Sequence, residues 1–111
     1  MASTFKYVQG DTGPQLKFTI TNADDGAVTN LTGATATLHF RAAGETTVLF
    51  SRPLIITAQN APLGVAVVQW AAGDLDQDAG NYEGELEVVR GNGVRETLYD
   101  KIKFKIREDF A

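Results

Sequence analysis

The chain of 111 residues contains no cysteine, one histidine, one methionine and no long apolar run. The lack of cysteine excludes disulfides, thiolate metal ligands and cysteine nucleophiles, so packing alone has to stabilise the fold. The longest apolar stretches fall far short of the roughly 20 residues that span a bilayer. The first residues also lack the basic start and apolar block of a secretory signal. We therefore expect a soluble protein with no membrane partner.

Positive charge is also scarce, because 10 Lys and Arg stand against 14 Asp and Glu, and the formal net charge is −4. Nucleic-acid binding needs a surplus of Lys and Arg to neutralise phosphates, so we expect no nucleic-acid partner. A chain of this length has room for one domain with a modest core. The sequence predicts a single domain over residues 1–111, with short arms at 1–9 and 107–111.

Apolar and polar residues alternate with a period of two, which predicts β-strands. In the segment 16–21, for example, Leu16, Phe18 and Ile20 alternate with polar residues. The other predicted strands lie at about 35–41, 48–50, 54–56, 65–70, 82–88 and 101–107. About seven short strands without helices between them predict an all-β fold, an immunoglobulin-like antiparallel β-sandwich with no disulfide.

The turn Gly91-Asn92-Gly93 sets the register of one hairpin. With a three-residue loop, apolar residues face apolar residues and opposite charges meet. The predicted pairs are Arg90 with Val94, Leu86 with Leu98, Glu83 with Lys101 and Tyr82 with Ile102. This register leaves an acidic residue on the apolar side, so we expect a bulge near residues 99–100.

A tyrosine at the start of a late strand is typical of the tyrosine corner of immunoglobulin-like domains. Here the pattern is Asp78, Gly80 and Tyr82, and the tyrosine hydroxyl is expected to bond backbone a few residues upstream. Antibody domains have a cysteine two residues after this tyrosine. Because Gly84 occupies that position, the likeness to antibody domains is one of architecture only.

Three turn-rich stretches carry a closer family resemblance. They are Gln9-Gly10-Asp11-Thr12-Gly13-Pro14, Leu31-Thr32-Gly33-Ala34-Thr35, and the stretch from Gly73-Asp74 to Gly80-Asn81-Tyr82-Glu83-Gly84-Glu85. Together they resemble the N-terminal domain of upper-baseplate proteins of tailed phages, over nearly the whole chain. That family is immunoglobulin-like, and its members anchor receptor-binding or fibre proteins to the phage tail. Its members usually continue into a longer chain, whereas this sequence stops at Ala111.

The resemblance implies a structural protein of a tailed-phage virion: a tail, baseplate or neck adaptor that assembles by symmetric contacts and is able to anchor fibres. Such a protein is made in the host cytoplasm and resides in the virion. Its partners would be copies of itself and other virion proteins, in a homo-oligomer. The alternative is a free-standing immunoglobulin-like module that binds carbohydrate or a cell surface, since fold does not fix function.

Aromatic residues near the chain ends are the candidates for an interface. They are Phe5, Tyr7 and Phe110, which lie outside or barely inside the strand pattern. Aromatic anchors of this kind either insert into a neighbouring copy or fold back onto their own domain. By contrast, Trp70 ends a predicted strand and is expected in or beside the core.

Catalysis finds little support in the sequence, and we expect no enzyme activity, no cofactor and no metal. The single histidine, His39, alternates with apolar neighbours and is expected on the outer face of a strand. The two serines, Ser3 and Ser51, do not lie in a nucleophile-elbow pattern. An acyl-transfer site is therefore not predicted.

Two charged patterns leave alternatives open. Asp74, Asp76 and Asp78, followed by Glu85, match positions one, three, five and twelve of a calcium loop, but position six is not the glycine that such a loop needs. A solvated acidic loop is the other interpretation. The basic row at 101–107 either forms a stripe for an acidic partner or is salt-bridged on the outer face of a strand.

Overall fold

The computed structural model describes residues 4–13, 15–21, 26–97 and 102–109. Over these ranges the regular structure consists of eight strands and one short 3₁₀ helix, Ala61–Leu63. The strands are β1 (Thr4–Val8), β2 (Leu16–Thr19), β3 (Thr35–Ala42), β4 (Phe50–Pro53), β5 (Val65–Val68), β6 (Gly80–Val89), β7 (Arg95–Thr97) and β8 (Ile102–Arg107). The predicted all-β class is confirmed.

The strands form two sheets that enclose one core. The larger sheet has the order β1-β8-β6-β3-β4, with β7 also paired to β6, and the smaller sheet contains β2 and β5. Neighbouring strands run antiparallel, except that β1 runs parallel to β8. Alternate residues of each strand point inward, as the period of two requires, and the buried residues of both sheets form one hydrophobic cluster. The predicted β-sandwich is thereby confirmed.

Aromatic rings occupy the centre of this core. Phe40 stacks on Phe50 at a centroid distance of 4.8 Å and on Tyr82 at 5.2 Å. Trp70 lies edge-on to Phe40 at 6.1 Å and is only 2% exposed. Aromatic pairs in these geometries stabilise the core beyond what the burial of their apolar surface contributes. Because Trp70 is enclosed, its ring is not available to stack on a sugar.

The hairpin between β6 and β7 has the predicted three-residue loop. The amide of Arg90 donates to the carbonyl of Val94 at 2.8 Å, which closes the loop over residues 91–93. Gly93 has a φ of +88°, the left-handed conformation that favours glycine at this position.

Beyond β7 the register differs from the prediction by two residues. Glu83 pairs with Lys103 instead of Lys101, and Tyr82 pairs with Phe104 instead of Ile102. The predicted bulge at 99–100 lies outside the described residues. A shift of two preserves the face on which each side chain lies, because the period of a strand is two. The alternation therefore predicts the correct face for each side chain, although the predicted partners between β6 and β8 are wrong.

The N-terminal arm predicted for residues 1–9 is corrected by the structure. Residues 4–8 form β1, whose parallel partner is β8. Phe5 packs against Phe18 and Phe104 with centroid distances of 6.2 and 6.0 Å. Tyr7 is 7% exposed and lies edge-on to Trp70.

These contacts place two of the three interface candidates against the domain's own core. The physical reason is the alternation of β1, in which Phe5 and Tyr7 point inward while Lys6 points outward. Phe110, the third candidate, lies outside the described residues, and β8 ends at Arg107 as the predicted C-terminal arm begins.

Candidate binding surface

A shallow depression lies on the outer face of the larger sheet. Its lining residues are His39, Arg41, Val48, Glu83, Gly84 and Glu85. We call this surface the His39 depression. Strands β3 and β6 set its geometry, because Arg41 pairs with Glu83 and His39 pairs with Glu85 in the antiparallel register. Residues directly opposite in such a pair hold their side chains close together on one face.

An ion pair fixes one side of the depression. The guanidinium of Arg41 contacts Oε1 of Glu83 through Nε at 2.7 Å and through Nη2 at 2.6 Å. The two side chains are 30% and 16% exposed. A partly exposed pair of this kind adds little stability, but it holds both charged groups in one orientation.

The other side of the depression is organised by His39. Its Nδ1 is 2.6 Å from Oγ of Ser51, which lies opposite it on β4. Its Nε2 is 3.8 Å from Oε2 of Glu87, a distance beyond a normal hydrogen bond. Sequence reasoning placed His39 on the outer face but missed the contact with Ser51, because the pairing of β3 with β4 was not predicted.

A hydroxyl, an imidazole and a carboxylate are the groups of a nucleophilic triad, but their setting differs from that of a catalytic site. In a triad the carboxylate bonds the imidazole directly, and backbone donors stabilise the developing oxyanion in a site shielded from water. Here Ser51 is exposed on an edge strand, and His39 and Glu87 are 27% and 25% exposed on an open sheet face. The distances and exposures of these three groups therefore differ from those of a triad.

Apolar surface adjoins these charged groups. Val48 and Leu49 precede β4 and are 47% and 46% exposed. Protein interfaces commonly combine such apolar contacts with Arg and other polar groups.

No family model matches the chain. No curated protein matches it either. Among solved structures, the crystal structure of CopC from Methylosinus trichosporium OB3b matches with a TM-score of 0.52 and 10% sequence identity. The match covers 96% of this chain and 86% of that chain. At this identity the likeness shows a shared fold.

The predicted function is contradicted by this comparison. A solved structure that the chain matches is CopC and not a phage structural protein, so the prediction of a virion tail, baseplate or neck adaptor is corrected. The resemblance to upper-baseplate proteins that suggested it is not tested by CopC and stays a prediction. The β-sandwich is the part of the prediction that the comparison supports.

The chain has few of the side chains that bind copper or zinc, so the shared fold alone does not imply a metal site. Copper and zinc sites use imidazole and sulfur ligands, and the sequence offers one histidine, one methionine and no cysteine. Within the described ranges no group of three or more His, Cys, Asp or Glu side chains is placed to hold a metal ion.

The calcium-loop alternative for Asp74, Asp76 and Asp78 is contradicted by the geometry of the first of these residues. The carboxylate of Asp74 is 6% exposed and accepts Nε of Arg52 at 2.9 Å, with Nη2 on its other oxygen. It also accepts the amide of Ala71 at 2.8 Å. A carboxylate held by a guanidinium and a backbone amide has little capacity left for a cation.

The residues of the predicted tyrosine corner lie together. The hydroxyl of Tyr82 donates to the carbonyl of Asp78 at 2.5 Å, four residues upstream. Gly80 begins β6 between them. Burial, and secondarily the charge of Asp78, raise the pKa of Tyr82, so the hydroxyl keeps its proton for this bond.

The described part of the chain contains no helix long and apolar enough to cross a membrane.

Proposed function

We propose that the chain is a non-catalytic binding domain that recognises another protein through the His39 depression. The observation that carries this proposal is the position of half-exposed Val48 beside the fixed Arg41–Glu83 pair. Desolvating an apolar side chain supplies binding energy, while charges that are already oriented supply specificity at a low entropic cost. A small and partly open depression of this kind suits a protein partner better than a small molecule, which favours a larger cleft of about 300–1,000 Å³.

Site-specific photo-cross-linking tests the proposal. The photo-reactive residue p-benzoylphenylalanine replaces Val48 in one variant and Ile55 in a control variant. Ile55 is a matched control because it is 50% exposed and pairs with Val67 on the smaller sheet. We expect Val48 to form one saturable cross-linked product in a lysate of the native source, and Ile55 to form none.

Competition by unlabelled protein tests whether the Val48 cross-link is specific. Excess unlabelled wild-type protein should suppress the cross-link, and excess Arg41→Glu protein should not, because this change reverses one charge of the fixed pair. Equal cross-linking from Val48 and Ile55, or equal competition by the variant, would refute the proposed surface.

Chemical labelling of Ser51 tests the non-catalytic part of the proposal. A fluorophosphonate reagent, which labels activated serines, should leave Ser51 unmodified. Stoichiometric labelling that is lost in Ser51→Ala or His39→Ala would show that the hydroxyl is activated and would overturn this part of the proposal.

A further inference from the structure

Three lysines lie side by side on the outer face at the opposite edge of the larger sheet. Lys6 on β1 is the register partner of Lys105 on β8, and Lys103 lies two residues before Lys105. We call these residues the lysine strip. Like charges placed directly opposite each other in a sheet are unfavourable. The arrangement is unusual in a chain whose formal net charge is −4.

No described acidic side chain forms an ion pair with this strip. On β6, Lys105 faces the neutral residue Asn81. Lys103 faces Glu83, whose carboxylate is held by Arg41. The sequence left two alternatives for the basic row at 101–107. Of that row, Lys103 and Lys105 form none of the salt bridges with described residues that the second alternative would require. Among the described residues, the three exposed lysines therefore form a positive surface without an acidic partner.

The strip adjoins a free strand edge. Among the described residues, β1 pairs with β8 on one side and with no strand on the other. The amide of Gln9 donates to the carbonyl of Arg107 at 2.8 Å, so Gln9 faces β8. Because successive residues of a strand alternate in direction, the N–H and C=O of Lys6 point to the free edge. Lys6 thus presents backbone groups at the edge and its ammonium group on the outer face.

We propose that the free edge of β1 and the lysine strip together bind an extended acidic segment of a partner protein, which adds to the larger sheet as a further strand. Backbone hydrogen bonds to Lys6 would align the segment. Its carboxylates at alternate positions would lie on the outer face, with a spacing of roughly 7 Å that matches residues two apart on β8. An edge lysine disfavours cationic strands by charge repulsion and apolar strands by the cost of desolvating its ammonium group, so an acidic strand is favoured.

An acidic protein segment fits this surface better than a nucleic acid does. Single-stranded nucleic acids bind through basic grooves that also offer aromatic rings for base stacking. The two aromatic residues of β1, Phe5 and Tyr7, point into the core instead. The proposal goes beyond the proposed function, because the lysine strip and Val48 lie toward opposite edges of the sheet and are tested separately.

The probe is a fluorescein-labelled peptide of about eight residues that alternates Glu and Thr, long enough to pair along β1. Fluorescence anisotropy measures its binding to the full chain. We expect weak, saturable binding whose affinity falls as salt concentration rises. Lys6→Glu and Lys105→Glu should each lower the affinity roughly fivefold or more. Lys17→Glu is the matched control, since Lys17 is an exposed lysine on the smaller sheet, and it should change the affinity little.

A second probe separates strand addition from simple charge attraction. The same peptide, N-methylated at alternate residues, keeps every carboxylate but loses the donors that pair with an edge. We expect this peptide not to bind.

Equal binding of the methylated and unmethylated peptides would overturn strand addition. An equal effect of Lys17→Glu and Lys6→Glu would overturn the assignment to the lysine strip. Tighter binding of an oligouridylate than of the acidic peptide would overturn the choice of partner.

Discussion

The ion pair between Arg52 and Asp74 predicts a large and specific loss of stability. It joins edge strand β4 to the loop that precedes β6, and the carboxylate of Asp74 is 6% exposed. Replacing Asp74 with Ala removes the partner of the guanidinium and the acceptor of the Ala71 amide. Each group would then be buried or partly buried without its hydrogen bond.

The magnitude follows from these two losses. Breaking a fully buried ion pair costs about 3–5 kcal/mol, but Arg52 is 30% exposed and recovers part of this by contacting water. An unsatisfied backbone amide costs about 1–3 kcal/mol. We expect Asp74→Ala to lower the free energy of unfolding by about 3 kcal/mol, and Asp74→Asn, which keeps an acceptor for the amide, by about 1.5 kcal/mol. The Asp74→Ala substitution should lower Tm by roughly 10–20 °C.

Urea unfolding followed by the fluorescence of Trp70 measures this effect, because the single tryptophan is enclosed in the folded state. The Arg41–Glu83 pair on the outer face is the matched control, and Glu83→Gln should cost below about 1 kcal/mol. A double-mutant cycle with Arg52→Met and Asp74→Asn should show coupling between the two side chains. A loss under about 0.5 kcal/mol for Asp74→Ala, or an equal loss for Glu83→Gln, would refute the reasoning.

Three further outcomes are expected. Gly84→Ala should lower stability by about 1–3 kcal/mol in urea unfolding, since its Cβ would lie 2.8 Å from Cδ1 of Leu38, and an unchanged midpoint would contradict this overpacking. Tyr82→Phe should lose about 1 kcal/mol with the hydrogen bond to the carbonyl of Asp78, so a variant as stable as the wild type would argue against that bond. Burial raises the pKa of Tyr7 and Tyr82 above the ordinary value of 10.0, so the protonated forms favour the fold below pH 10 and stability falls as pH rises from 10 through the folded-state pKa values. Tyr7→Phe should flatten that fall in unfolding measurements between pH 9 and 12, and an unchanged slope would contradict the prediction.

The strands of the chain were predictable because alternation is a local property. The sequence around Phe18, Leu38 and Phe104 shows which residues of each strand face the core, whichever strand lies beside it. The loop over residues 91–93 was predictable for the same reason, because a three-residue connection allows few hydrogen-bonded geometries.

The candidate site was only partly predictable. The outward direction of His39 follows from alternation, but its contact with Ser51 depends on how β4 registers against β3 across the loop between them. The pair of Arg52 with Asp74 joins β4 to the loop between β5 and β6, and local patterns contain no information about it. Neither alternative for this loop, a calcium ligand set or a solvated acidic loop, anticipates that Asp74 is buried against Arg52.

By itself, the sequence determined the all-β class, the inward and outward faces of most strands and the three-residue turn at 91–93. Only the tertiary structure decided that residues 4–8 join the sheet as a strand parallel to β8, and that Lys6 therefore lies against Lys105. These pairings connect parts of the chain about a hundred residues apart. The free energy that selects them comes from burying Phe5 and Tyr7 in a core that exists only after the two sheets have assembled.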